Sequence, residues 1–129
     1  MKYMLMMHSN TKAFAEMTAW SQQDVQAMIQ FMDDLNAELA ASGEVMDAQG
    51  LGHPDSARIV QARHDDEPVI TDGPFPEAKE MLAGYWLLDV RDEARALELA
   101  ARISACPGAG GVPVNQPITV QQVLDAPEA

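Results

Sequence analysis

The opening segment Met1-Lys2-Tyr3-Met4-Leu5-Met6-Met7-His8 constrains this chain more than any other. Side chains along a strand alternate between its two faces. Tyr3, Leu5 and Met7 then fall on one side, and Met4, Met6 and His8 on the other. Both rows are apolar up to the histidine. A strand with two apolar faces is an interior strand, covered by helices on one side and by something else on the other.

The helices to cover it are legible. Residues 21–42 carry Val25, Met28, Ile29, Met32, Leu35 and Leu39 at three- and four-residue steps, one apolar stripe. Ser21 is placed to cap this helix, with Asp24 three residues on, and Gly43 to end it. Trp20 and Val25 are spaced for a hydrophobic staple. A second helix starts at Asp92 and runs to about Ile103, with Ala96, Leu99, Ala100 and Ile103 inward and Glu98 spaced to pair with Arg102 outward. Residues 10–19 read as a loop or a short helical turn.

Strands fill the rest. Residues 44–48 form a short one, 57–64 and 68–71 a hairpin around Asp65-Asp66-Glu67, and 85–90 a strand of large apolar residues. Residues 76–82, opening on Pro76, read as one or two helical turns. The last strand spans 112–120, and Pro113 and Pro117 put it at an edge or a bulge. The order is that of an α+β, ferredoxin-like βαββαβ unit with an extra hairpin. One domain is expected over residues 1–123, with a frayed tail over 124–129. Two helices cover one face of such a sheet, so the other face is expected to meet a second copy in a homodimer.

Charge narrows the partners. Eight Lys and Arg against twenty Asp and Glu give a formal charge of -12. Phosphate backbones and anionic membrane surfaces would repel such a chain, so neither nucleic acid nor membrane is an expected partner. No segment has the roughly twenty apolar residues of a membrane span. Cys106 is the single cysteine, which leaves no internal disulfide, and the chain is expected in the cytoplasm. His8, His53 and His64 follow no metal-ligand spacing, and no glycine-rich loop opens a helix after a strand. No metal or cofactor is therefore expected.

The densest motif is Thr71-Asp72-Gly73-Pro74-Phe75-Pro76-Glu77-Ala78-Lys79-Glu80, followed by Gly84-Tyr85-Trp86. Asp accepts backbone hydrogen bonds in turns, Gly allows positive φ, and Pro presets φ. Asp72 is thus either a turn-former or a carboxylate at the mouth of a cleft. Gly73 is expected at positive φ or against a close backbone neighbour. His8 ends the first strand, and an imidazole paired with Asp72 would form a general base with its orienting carboxylate. The bland alternative leaves His8 structural. Lys79 is either part of a solvated charged face or the positive element for an anionic ligand, or for Asp72. Tyr85 and Trp86 point to opposite faces, so one of them is expected to wall the cleft. His8 and Asp72 are the candidate catalytic pair; Gly73, Lys79, Tyr85 and Trp86 are the candidate ligand-binding residues.

The motif, the opening Met1-Lys2-Tyr3-Met4-Leu5, and the blocks Asp89-Val90, Glu93-Ala94 and Ala100-Ala101-Arg102-Ile103 resemble the YCII-related family, of the Asp-Gly-Pro-Phe type. The resemblance implies a dimeric α+β barrel in which two sheets pack face to face around a cleft. Some relatives carry a histidine on the first helix, proposed to work with an aspartate. Residues 21–42 hold no histidine, so that dyad is not carried over. The resemblance supports a cleft for a small-molecule ligand or substrate. It also leaves open a non-catalytic regulatory or interaction module linked to sigma-factor-dependent transcription, because family members are often encoded beside such factors. A fold so widely reused carries no reaction by itself.

Overall fold

The structure, a computed structural model, describes residues 1–72 and 80–125. Strand β1 (Lys2–Ser9) leads into helix α1 (Thr11–Thr18) and helix α2 (Gln22–Ala41). Strand β2 (Val45–Gly50) follows, then a hairpin of β3 (Arg58–Arg63) and β4 (Asp66–Asp72). Strand β5 (Met81–Asp89), helix α3 (Glu93–Ser104) and strand β6 (Ile118–Gln122) complete the order. The main sheet runs β2-β5-β1-β6 and every pairing in it is antiparallel. This mixed α+β arrangement is compatible with a ferredoxin-like unit, and β3-β4 stands apart as a separate two-stranded sheet.

The first strand is interior, bonded to β5 on one side and β6 on the other. Tyr3 and Leu5 are buried, opposite Leu88 and Trp86 of β5. Against them pack Leu35 and Leu39 of α2 and Ala96, Leu99, Ala100 and Ile103 of α3, one continuous core on one face. Register and alternation turn Met4, Met6, Tyr85 and Leu87 to the opposite face.

Both long helices start where their caps predict. Ser21 Oγ accepts the Asp24 backbone N–H at 3.1 Å, and Asp92 accepts that of Arg95 at 2.9 Å. Asp24 does not close a capping box; its carboxylate accepts the Gly110 N–H at 3.0 Å and ties the first turn of α2 to the segment after α3. The α2 stripe divides. Leu35 and Leu39 enter the core, Met28 and Met32 are half-buried, and Ile29 is 49% exposed, against expectation.

Other boundaries differ for physical reasons. Residues 10–19, read as a loop or short turn, form the two-turn α1, capped by Asn10 Oδ1 accepting from Ala13 N–H at 2.7 Å. It is only eight residues long and buries no residue. Met81 and Leu82 belong to β5 rather than to helical turns, because they pair with Ser9 and His8. Gly84 faces Met7, and a Cβ there would lie 3.0 Å from the Gln49 carbonyl, so the glycine permits the close β2-β5 approach. The last strand starts at Ile118 rather than 112: Pro113 instead bridges Pro107, and Pro117 stops short of the ladder. β6 does lie at the sheet edge. Glu98 pairs with Arg95 at 3.1 Å, not with Arg102, whose guanidinium reaches Glu38 of α2 at 2.7 Å.

Candidate functional site

Where α2 parts from the sheet, a cavity of about 490 Å³ opens. Its floor is the end of the sheet: Met7 and Ser9 of β1, Ala48 and Gly50 of β2, and Gly84 and Trp86 of β5. Met28 and Met32 close it from α2, while Phe14 and Met17 of α1 and Trp20 cover the top. Cys106 and Val114 form the wall beyond α3. Phe14 is held by an edge-on contact with His53, centroids 4.8 Å apart and planes at 62°. α1 is thus fastened to the loop after β2.

Ser9, Gln49, Gln116 and Asn36 are polar residues in this largely apolar lining, and Asn36 is bonded to a core indole. The Trp86 indole Nε1–H donates to Asn36 Oδ1 at 2.9 Å. Asn36 lies four residues after Met32, on the same helical face. Among the described residues Glu16 is the single charged one that borders the cavity. Burial pushes the Cys106 thiol up, so it stays protonated at neutral pH and is a packing group rather than a thiolate nucleophile.

The residues singled out from sequence are dispersed. Met7 and Ser9 line the cavity but His8 between them does not, and the β1-β5 register shifts between Met7 and His8. Asp72 ends β4, where its carboxylate accepts from Arg58 Nε at 2.9 Å, both side chains being largely exposed. No hydrogen bond or ion pair joins His8 to Asp72 among the described residues. Gly73 and Lys79 lie outside the described residues. Trp86 and Tyr85 both border the cavity; Trp86 is buried in the core, while the Tyr85 hydroxyl donates to Asp47 Oδ2 at 2.8 Å. That bond holds the Asp47 carboxyl below its ordinary range and pushes the phenol up.

Sequence reasoning missed Asn36, Phe14 and Trp20 as site residues. A signal for Asn36 was present: it is a polar residue interrupting the stripe formed by Met28, Met32, Leu35 and Leu39. Met28 and Met32 were read as helix packing, which is half of what they do.

Fold and site together define a small α+β protein with an antiparallel sheet, helices on one face, and an apolar cavity at one end of that layer. The family model of the YCII-related domain matches residues 1–114, and the chain belongs to this family. A relative from Rhizobium meliloti (strain 1021), an uncharacterised protein, is 27% identical over 99 residues, covering 76% of this chain and 79% of its own length.

Proposed function

We propose that this protein binds a small apolar molecule in the cavity between α1, α2 and the sheet, and does so as a homodimer formed through the sheet's opposite face. The cavity itself carries the reading. It has the volume of a small-molecule site, its wall is predominantly apolar and aromatic, and its few polar groups converge from separate elements, as ligand pockets do. Binding is favoured over catalysis by the lining: a protonated buried thiol and an amide already engaged by an indole are poor acid–base groups.

The test uses N-phenyl-1-naphthylamine, a neutral probe that brightens in apolar surroundings. Saturable brightening is expected with the native protein, with simultaneous quenching of tryptophan emission, because both tryptophans of the chain line the cavity. Met28→Trp, which fills the space, is expected to abolish the signal while leaving far-ultraviolet circular dichroism intact. Absence of saturable binding, or equal binding to the filled variant, would overturn the reading.

A further inference from the structure

We infer that the cavity selects neutral molecules carrying a hydrogen-bond acceptor, a carbonyl group on an apolar or aromatic body, and that Asn36 is the residue that recognises it. The inference rests on the proposed binding function and adds the chemical class of the guest.

The orientation of Asn36 follows from chemistry. An indole N–H can only donate, so the Asn36 atom lying 2.9 Å from Trp86 Nε1 must be the amide oxygen. The other terminal atom is then the NH2 group, with two donors. Asn36 Nδ2 donates to no described residue, and no buried side-chain polar atom among the described residues lacks a partner. The NH2 group is therefore accessible on a residue that lines the cavity. Trp86 is 6% exposed and fixed in the core, so it holds the amide in one orientation. A prealigned donor in an apolar wall favours a guest that brings an acceptor, since any other guest leaves the donor dry and unpaired.

Charge sets the second half of the selection. Among the described residues no lysine or arginine borders the cavity, and the one charged neighbour is Glu16. With a chain charge of -12, a carboxylate or phosphate guest would lose hydration and gain no counter-ion. Met17, Met28 and Met32 supply adaptable contacts for the rest of the guest.

A matched series of probes tests this in the full chain: 2-acetylnaphthalene, 2-ethylnaphthalene and 2-naphthoate, each followed by tryptophan quenching and by displacement of N-phenyl-1-naphthylamine. The acetyl compound is expected to bind about five- to tenfold more tightly than the ethyl compound, as one neutral hydrogen bond provides. The naphthoate is expected to bind more weakly than either. Asn36→Asp keeps the acceptor for the Trp86 indole and removes the donors. It is expected to abolish the acetyl preference with far-ultraviolet circular dichroism unchanged, and to improve binding of the cationic 2-(aminomethyl)naphthalene. Equal affinity of acetyl and ethyl compounds for the native protein, a preference that survives in Asn36→Asp, or tight naphthoate binding would each overturn the inference while leaving the binding function standing. Failure of every probe to bind would remove both.

Discussion

Gly108 shows how narrowly single residues hold the cavity wall in place. It is buried, its N–H donates to the Val112 carbonyl at 2.8 Å, and it sits where the chain turns back after α3. A Cβ at this position would lie 2.8 Å from Val114 Cγ2, 3.2 Å from the Val112 carbonyl oxygen and 3.4 Å from Trp20. Two of those neighbours, Val114 and Trp20, line the cavity. Gly108→Ala is therefore expected to destabilise the fold by roughly 1–3 kcal/mol, the usual penalty of overpacking. It should also weaken probe binding, because relief of the clash displaces Val114 or Trp20. Paired thermal melts and probe titrations check both effects, and an unchanged melting temperature would mean the loop yields without cost. In the sequence, Gly108 is one glycine of the turn-forming run Pro107-Gly108-Ala109-Gly110-Gly111. Its tightest constraint is the Val114 side chain, brought back over it by the loop, with Trp20 from the far end of the cavity at contact distance; local turn chemistry reveals neither. Asn36 is the counter-example, since a polar residue inside an apolar stripe is visible in the string and lacked only its partner, Trp86.

At the scale of elements, the clamp between Glu44 and Arg95 fixes α3 to the junction of α2 and β2. Arg95 grips Glu44 through two bonds of 2.9 Å, both side chains being mostly buried, and the Glu44 carbonyl accepts Asp89 N–H from β5. The Arg95 hydrogen bonds hold the Glu44 carboxyl far below its ordinary 4.5, at about 2. On acidification the unfolded chain takes up this proton near pH 4.5, while the folded chain stays ionised down to about 2. Protons in that window bind the unfolded state preferentially. The stability from this pair is thus complete above pH 4.5 and is lost progressively as the pH falls toward 2. Glu44→Gln is expected to cost roughly 1–2 kcal/mol at neutral pH, between the values of exposed and buried pairs. Its deficit relative to the native chain should shrink across the acid window; urea melts at several pH values measure this, and a constant deficit would exclude the pair as the cause. Elements with a strong period were legible beforehand: β1, α2, α3 and the central part of β5 lie close to where alternation and stripes put them. Elements defined by what they cover were not. α1 carries Phe14 and Met17 three residues apart, a short apolar edge that faces the cavity rather than the core. Val112 and Val114 looked like strand residues, yet Val114 serves as cavity wall and the ladder begins at Ile118.

For the whole molecule, the two faces of the sheet are unequal, and the proposed homodimer follows from that inequality. The helix-covered face holds the entire buried cluster among the described residues. The other face has Met4 and Met6 from β1 and Tyr85 and Leu87 from β5 along its centre, with Asp47 and Gln49 of β2 and Thr119 and Gln121 of β6 along its flanks by register. An apolar centre with a polar rim is the composition of an interface core and its surround. A twofold axis through that centre would bring each row against its own copy, the self-complementary arrangement that closed dimers require. The acidic charge of -12 argues against deep association beyond two, since every added copy accumulates repulsion. Sedimentation at low micromolar concentration is expected to give twice the 14.0 kDa chain mass. Met6→Arg, which places a charge at the apolar centre without touching the core cluster, should shift the protein to monomer with its circular dichroism unchanged. It should also leave the cavity on the helix side able to bind N-phenyl-1-naphthylamine, because Met6 and the cavity lie on opposite faces of the sheet. A native protein that sediments as a clean monomer would refute the dimer while leaving the binding site untouched. Loss of probe binding together with dimerisation would instead mean that pairing of the sheets is what keeps the cavity open.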